Sequence, residues 1–450
     1  MTAVVGILNK RGLAIAADSA VTRERPIAQD EKEEKKATQE LEEEQDKRAN
    51  KKITKNGNKM IRLNEELPVA VMITGNADFL GVPWDVIVRR YRQRRGKRHY
   101  PSIEACVTDF FDYIASNDVF WDKERCNLYL NAVVQWLFKE AMDEIAEEND
   151  RYEDFSMKYP EKFKKAFSRS LSRITETKLG GAGSPHFRNC PIRQFRRDVA
   201  TELDKFFRLL TISPFNQASC ITFPRGVVDA VRPYFEEALL ATMGSIMKNE
   251  ACAELVFAGY GEDQEYPSLI SAVVCEGYAH RVNYSITNNI NINDDRPVAI
   301  CPFAQDDVVR AILQGMHEPW EKNVVQALDK VTRVDYYGFT EEDAGYFQED
   351  LLAVDIKCIE RGFNREGGKL IKENEREWER CLERYDPEDL AVIADSFIDL
   401  TGLHRALTFR KEEVGGIVDL AVITKGHFEW LRRKGWYHRD QHGKDGSMGI

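Results

Sequence analysis

The chain has 450 residues, of which 43% are hydrophobic and 31% are charged. This composition is typical of a folded globular protein and excludes a chain that is disordered throughout. The formal net charge of -11 argues against nonspecific nucleic-acid binding by the surface as a whole.

The hydropathy pattern and the cysteines exclude further classes. No apolar run approaches the ~18 residues of a membrane-spanning helix, and the N-terminal segment lacks the basic region of a secretory signal. The nine cysteines are scattered and never spaced as CxxC, which argues against a disulfide scaffold and a structural zinc site. The sequence therefore predicts a cytoplasmic protein without a membrane partner, and it predicts neither a metal nor a cofactor.

The chain begins with two short apolar runs, at 3–8 and 13–17. Residues 9–12 between them, Asn-Lys-Arg-Gly, are typical turn formers, so the segment predicts a hairpin of two buried strands. Residues 24–52 contain almost no apolar side chain and mix both charge signs. We expect this segment to be an exposed charged insertion.

Strand-forming residues return after the insertion. Residues 59–63 and 68–74 predict strands, and the second strand is expected to end at Gly75. Asn76 is a suitable cap for a helix, which the pattern predicts from about 77 to 95.

The rest of the chain alternates helical regions with short strands. Apolar residues recur at helical spacing over 101–249 and 319–400, which predicts two helical regions. Outside them we expect a helix near 306–313 and strands at 253–258, 268–274, 297–300, 415–423 and 427–437.

Thr2 directly follows the initiator methionine, and its small side chain permits removal of Met1. The new N-terminal residue would carry a nucleophilic hydroxyl beside a free α-amine, whose pKa of ~7.7 to 8.0 suits a general base. Many proteins begin with Met-Thr, so the specificity comes from the residues that follow. These are Asp18 after the second strand, Lys59 after the insertion, and Gly75.

With these residues, the sequence resembles the proteasome β-subunits and the bacterial proteasome-like peptidase that works with an unfoldase. Both are threonine-type N-terminal nucleophile (Ntn) hydrolases. The resemblance places Thr2 on the family's nucleophile, Asp18 on its aspartate and Lys59 on its lysine. Gly75 falls on the glycine whose backbone N–H forms the oxyanion hole. The likeness is specific over residues 2–91 and weaker in the second half of the chain.

The resemblance implies an α+β fold in which two antiparallel sheets lie between helical layers, the four-layer αββα Ntn-hydrolase sandwich. Two large helical insertions elaborate this core. The implied division is an Ntn core at 2–100, 251–315 and 397–437, helical insertions at 101–250 and 316–396, the charged insertion at 24–52, and a flexible tail at 438–450.

The resemblance also implies how the site works. A lysine ammonium near Thr2 would favour the neutral α-amine, while Asp18 would hold the lysine charged and oriented. The family resemblance further implies a peptide or protein substrate, homo-oligomer formation and an unfoldase partner. The substrate pocket would be formed by Ala20, Val21, Thr22, Met72 and Ile73. Because these side chains are apolar or uncharged, we expect cleavage after Leu, Phe or Tyr.

The sequence departs from the family pattern at two places. Where the family keeps a serine before the late double glycine, and an aspartate three residues earlier, this chain has Val414 and Lys411. Where the family keeps a serine between glycines, this chain has residues 301–304, Cys-Pro-Phe-Ala. Neighbouring polar residues that could take over the support are Gln305, Asp307, Glu412 and Glu413.

Two alternatives therefore stay open. One is a catalytically inactive member of the same fold with a structural or partner-binding role, favoured by Val414, Lys411 and Pro302. The other is a nucleic-acid or assembly adaptor that uses the seven cations within residues 89–98. The same cations would also suit a solvated helix C-terminus, so nucleic acid is not the partner that the sequence favours.

Overall fold

The computed structural model describes residues 3–19, 21–24, 51–54, 59–148, 160–177, 183–212, 225–245, 252–314, 371–407 and 416–433. The fold is mixed α+β with antiparallel sheets. No helix in these ranges combines the length and the hydropathy needed to cross a membrane.

The strands are β1 (Ala3–Asn9), β2 (Gly12–Ala17), β3 (Val21–Glu24), β4 (Lys51–Thr54), β5 (Met60–Arg62), β6 (Val69–Gly75), β7 (Asp78–Phe79), β8 (Val82–Pro83), β9 (Ala253–Gly259), β10 (Ser268–Tyr278), β11 (Arg281–Asn291), β12 (Val298–Ala304), β13 (Asp419–Thr424) and β14 (His427–Arg432). The helices are α1 (Trp84–Arg95), α2 (Ile103–Ala115), α3 (Lys123–Glu148), α4 (Pro160–Thr177), α5 (Pro185–Arg188), α6 (Ile192–Ile212), α7 (Arg225–Gly244), α8 (Asp307–Gln314), α9 (371–382) and α10 (Pro387–Leu407).

The chain forms two compact units. The first comprises residues 1–60, 264–268 and 290–450 and contains a five-stranded sheet in the order β12-β1-β2-β13-β14. The second comprises residues 61–263 and 269–289, and its five-stranded sheet has the order β11-β10-β9-β6-β5.

The predicted hairpin at the start of the first unit is confirmed. β1 and β2 pair in antiparallel register and every residue of both strands is buried. The Asn9 side chain closes the turn, because its Oδ1 accepts hydrogen bonds from the backbone N–H groups of Arg11 and Gly12. Its Nδ2 donates to the carbonyls of Leu382 and Tyr385, which ties the turn to the segment before α10.

One face of this sheet is covered by α10. Alternate residues of β1, β2 and β13 pack with Leu390, Ala394 and Phe397 of the helix. The other face carries Val4 and Ile15, which are also buried. α10 continues through residue 396, where the sequence placed the end of a helical insertion.

The charged insertion lies mostly outside the described residues. Its flanks, β3 and β4, pair in antiparallel register from Val21↔Thr54 to Glu24↔Lys51. Residues 24, 51 and 52, which we assigned to the insertion, therefore belong to a two-stranded ribbon.

The second unit begins with a strand and a helix, but the predicted helix start near residue 77 is wrong. A small hairpin, β7–β8, occupies residues 78–83, and α1 begins at Trp84. The Asp78 carboxylate accepts a hydrogen bond from the backbone N–H of Gly81, and Gly81 takes a positive φ of 77°. This turn and Pro83 end the strand geometry before the helix starts.

α1 and α2 cover one face of the second sheet. Phe110 of α2 packs edge-on against Phe257 of β9, with ring centroids 5.3 Å apart. α2 thus belongs to the layer on this sheet, although the sequence assigned residues from 101 to a helical insertion. Beyond it, α3, α4, α6 and α7 enclose an aromatic cluster of Phe138, Phe163, Phe167, Phe206, Phe207 and Phe235.

Candidate functional site

The ends of four neighbouring strands of the first unit, β12, β1, β2 and β13, lie side by side along one edge of its sheet, the edge that runs across the strand ends. Ala3 of β1 lies opposite Ala304 of β12, and Val4 lies opposite Ala17 of β2. Ala17 lies opposite Asp419, the first residue of β13. The residue that precedes Ala3 in the chain is Thr2, the predicted nucleophile.

Asp18 binds the backbone of Ala3. Its N–H donates to the Ala3 carbonyl at 3.1 Å, which extends the pairing of β1 and β2 by one step. Its Oδ1 accepts a hydrogen bond from the Ala3 N–H at 3.0 Å. A carboxylate therefore holds the peptide group that connects residues 2 and 3.

Lys59 binds the same carboxylate. The Lys59 Nζ lies 2.7 Å from Asp18 Oδ1, and the two side chains are 7% and 0% exposed. The predicted buried ion pair between these residues is confirmed. It connects residues 41 positions apart, with the charged insertion between them.

Burial acts on the lysine more strongly than its partner does. Desolvation lowers the pKa of Lys59, and the charge and hydrogen bond of Asp18 raise it in partial compensation. A buried ammonium of this kind gives up its proton more readily than an exposed lysine does. It favours the neutral form of a nearby amine and stabilises negative charge that develops on a nearby oxygen.

The backbone turns sharply where β12 ends beside Ala3. Ala304 has a positive φ of 67°, and the Gln305 N–H donates to the Phe303 carbonyl at 3.0 Å. A hydrogen bond between residues i and i+2 around a positive φ is the geometry of a rare and strained γ-turn. Non-glycine residues adopt such conformations mainly where the surrounding structure imposes them, and these positions cluster at functional sites.

Two further buried polar residues at this edge were missed in the sequence. Ser19 follows Asp18 and is buried, and Asp419 is buried at the start of β13. Asp419 did leave a signal, because it is the one charged residue in the apolar run from 417 to 423. Gln305, which we considered as a supporting residue, is also buried here.

Several predicted site residues lie outside the described residues, or have only their backbone described. Thr2 and Ala20 are not among the described residues, and neither are Lys411, Glu412, Glu413 and Val414. Val21 and Thr22 form part of β3. Asp307, another supporting candidate, instead forms an ion pair with Arg405 that connects α8 to α10.

Gly75, in the second unit, ends β6 with a positive φ of 76°. A Cβ atom at this position would lie 2.5 Å from the carbonyl oxygen of Cys252, so the site accepts only glycine without rearrangement. The next residue, Asn76, donates its N–H to the same oxygen. The turn that follows β6 is therefore in direct contact with the backbone carbonyl of Cys252.

Met72 and Ile73 point to opposite faces of β6, because successive side chains of a strand alternate. Ile73 packs in the core that contains α1 and α2. Met72 is buried on the face away from these helices. That both residues line a substrate pocket stays a prediction.

Most of the basic run is neutralised by neighbouring acids. Ion pairs join Arg89 to Asp85 and Arg92 to Glu65. Arg95 and Arg98 both bind Asp109, whose carboxylate also accepts hydrogen bonds from the hydroxyls of Tyr91 and Tyr100. Arg90, Arg94 and Lys97 are exposed. Because four of the seven cations form ion pairs within the chain, the run is better explained as a solvated helix C-terminus than as a nucleic-acid-binding surface.

Metal and cysteine chemistry add little to the site. The described ranges hold no group of three or more His, Cys, Asp or Glu side chains that could bind a metal ion. Cys252 and Cys275 form a disulfide, which the scattered spacing of the cysteines did not predict. Strand pairing of β9 with β10 brings their Cα atoms to 4.3 Å across a separation of 23 residues.

No known protein-family model matches the sequence, and a comparison with curated proteins finds no match either.

Proposed function

We propose that the protein is a threonine-type Ntn hydrolase in which Thr2, after removal of Met1, cleaves peptide or amide bonds. The observation that carries this proposal is the buried Lys59–Asp18 pair, anchored to the backbone N–H of Ala3. A buried ion pair is a poor device for stability, because apolar side chains of similar size serve as well. Perturbed pKa values cluster at functional sites, and burial lowers the pKa of Lys59.

In the proposed reaction, the α-amine of Thr2 takes the proton of its own hydroxyl as Oγ attacks the carbonyl carbon of the substrate. The resulting oxyanion would be stabilised by the backbone N–H at Gly75. Collapse breaks the C–N bond, and the leaving amine takes the proton from the Thr2 ammonium. Water, activated by the same amine, then hydrolyses the acyl ester and regenerates Thr2.

The proposal includes the four-layer αββα sandwich that the resemblance implies. Each five-stranded sheet has helices on one face, and its other face is also buried, at Val4 and Ile15 in one sheet and at Met72 in the other.

The catalytically inactive alternative is favoured by one described residue. Pro302 lies in β12 opposite Val5, at the place where the resembling family keeps its serine between glycines. If the support that this serine gives is not replaced, the chain would keep the fold and bind a partner without cleaving it. The unfoldase partner and the cytoplasmic location are proposals that depend on the resemblance alone.

Cleavage of fluorogenic peptides tests the proposal. Peptides that end in Leu or Tyr should be cleaved faster than those that end in Arg or Asp, because an apolar pocket leaves a charged side chain without a partner. Thr2→Ala should abolish cleavage, and Lys59→Met should lower it by about a hundredfold or more. Lys10→Met is the matched control, since Lys10 forms an exposed ion pair with Asp294.

Inactivity of the wild type on all four peptides would favour the noncatalytic alternative. Faster cleavage of the basic or acidic peptides would show that the pocket assignment is wrong while leaving the nucleophile in place.

A further inference from the structure

A disulfide lies directly beside the turn that ends β6. Cys252, the residue before β9, is bonded to Cys275 of β10, and their Cα atoms are 4.3 Å apart. The Cys252 carbonyl accepts a hydrogen bond from the Asn76 N–H at 3.1 Å, and Gly75 lies opposite Ala253, the next residue in the chain. The bridge therefore joins β10 to the backbone group that the Gly75 turn contacts.

The contact between this turn and Cys252 leaves little free space. A Cβ atom built on Gly75 would lie 2.5 Å from the Cys252 carbonyl oxygen and 3.3 Å from the Ala253 Cα. Groups packed this closely transmit small displacements, because protein interiors are dense and hardly compressible. A shift of the Cys252 carbonyl therefore moves Gly75 and Asn76 with it, or breaks the hydrogen bond from Asn76.

The fold holds the two cysteines unequally. Cys275 is buried within the 11-residue β10, which has β9 on one side and β11 on the other. Cys252 is partly exposed and lies just outside β9, at its N-terminal end. When an S–S bond is broken, the two sulfurs separate by about 1.5 Å to reach van der Waals contact. We expect Cys252 to make most of this movement, because it is the less restrained of the two.

We propose that the Cys252–Cys275 bridge is a redox switch, which a dithiol reductant opens to release the Gly75 turn. In the cytoplasmic location that we also propose, disulfides are mostly transient and serve catalysis or redox sensing. The oxidised protein holds the turn in the geometry described above, and the reduced protein lets it move. The effect on the turn is independent of the proposed function, whereas an effect on catalysis rests on Gly75 as the oxyanion-hole residue.

The chemistry of the switch is thiol–disulfide exchange. A thiolate of the reductant attacks the more accessible sulfur, that of Cys252, and Cys275 leaves as a thiolate that takes up a proton. The second thiol of the reductant then displaces Cys252 from the mixed disulfide. The bridge gains two electrons and two protons, and the reductant becomes a disulfide. An oxidised dithiol reverses the same steps and closes the bridge.

Hydrogen exchange of the Asn76 amide tests the switch without any substrate. The full chain is equilibrated with mixtures of oxidised and reduced dithiothreitol, and the state of each cysteine is determined by differential alkylation and peptide mapping. Reduction should accelerate exchange in the peptides that contain Asn76 by about fivefold or more, the change expected for the loss of one hydrogen bond. Peptides from α2, which lies in the same unit, should not change.

Two variants separate the bridge from the other thiols. Cys275→Ala should show fast exchange at Asn76 with or without reductant. Cys381→Ser, which removes an exposed free thiol, should respond to the reductant as the wild type does. The proposal is overturned if Cys252 and Cys275 remain thiols in the oxidised buffer, if reduction leaves exchange at Asn76 unchanged, or if exchange in α2 rises equally.

Peptide cleavage in the two redox states separates this proposal from the proposed function. The reduced protein should cleave several-fold more slowly than the oxidised protein, because the Gly75 N–H is no longer held in place. If the turn loosens but neither state cleaves any peptide, the switch stands and the proposed function fails. If the turn loosens and both states cleave equally fast, the switch stands and Gly75 is not the oxyanion-hole residue.

Discussion

The Lys59–Asp18 pair makes a quantitative prediction that does not depend on activity. Asp18→Asn keeps an oxygen that can accept the Ala3 N–H but removes the charge opposite the buried lysine. An ammonium that is buried with no counter-charge should lower the free energy of unfolding by about 3 to 5 kcal/mol. Lys59→Met should cost a similar amount, because it leaves the Asp18 carboxylate buried without its cation.

The double variant should recover most of the loss. Asp18→Asn with Lys59→Met contains no buried charge and should unfold within about 1 to 2 kcal/mol of the wild type. The coupling free energy from this double-mutant cycle is obtained by urea unfolding followed by circular dichroism. Lys10 and Asp294 provide the control, since their N–O distance is also 2.7 Å but the pair is exposed. Removing either of them should have no measurable effect.

Additive losses in the double variant would refute this reasoning, because they would show that the two charges do not interact in the folded protein. A decrease of less than ~1 kcal/mol in the free energy of unfolding for Asp18→Asn alone would also refute it, because it would show that the pair is in contact with water.

Two further predictions concern the second unit. Gly75→Ala should destabilise the protein more than Gly426→Ala. Both glycines have a positive φ, but only at Gly75 would an added Cβ clash with the Cys252 carbonyl oxygen. Thermal unfolding of the two variants measures the difference. If the two variants lose equal stability, the clash is not real. His186 accepts a hydrogen bond from the Val282 N–H on Nδ1, and burial lowers its pKa. Its contribution to stability should therefore be complete above the usual histidine pKa of ~6.5 and decline as the pH falls below it, and His186→Gln should flatten this part of the pH profile. An unchanged profile would contradict the assignment.

The parts of the fold that the sequence predicted are those with strong local signals. The hairpin of β1 and β2 has two uninterrupted apolar runs and a four-residue turn of suitable composition, and both its pairing and its burial follow from them. The contact of Asp18 with Lys59 was predicted across the insertion from the family resemblance. The spacing along the chain does not predict this contact, because an insertion of any length could separate the two residues.

The missed elements have weak or misleading local signals. β11 escaped notice because its second half is exposed and polar, and its Thr287 and Asn288 side chains bond across to Ser271 of β10. The β7–β8 hairpin has two-residue strands, which are too short for any periodicity to appear. Its turn contains a hydrogen bond from the Gly81 N–H to the Asp78 carboxylate and positive φ angles at Leu80 and Gly81.

The site was predicted less completely than the fold. Asp419 reaches the edge beside Ala17 only through the pairing of β13 with β2, a contact between residues about 400 positions apart that no local pattern encodes. The strain at Ala304 is equally invisible, because alanine gives no sign of a positive φ.

The intact mass of the purified protein, measured before and after treatment with a peptide epoxyketone, tests the central claim most directly. An N-terminal threonine reacts with this electrophile through both its hydroxyl and its α-amine, so labelling reports the two groups that the proposed mechanism uses. The account predicts a mass without Met1, one added inhibitor per chain located at Thr2 by peptide mapping, no addition to Thr2→Ala, and much slower addition to Lys59→Met. Retention of Met1 in protein from its native source, or labelling that is unaffected by Thr2→Ala, would contradict it.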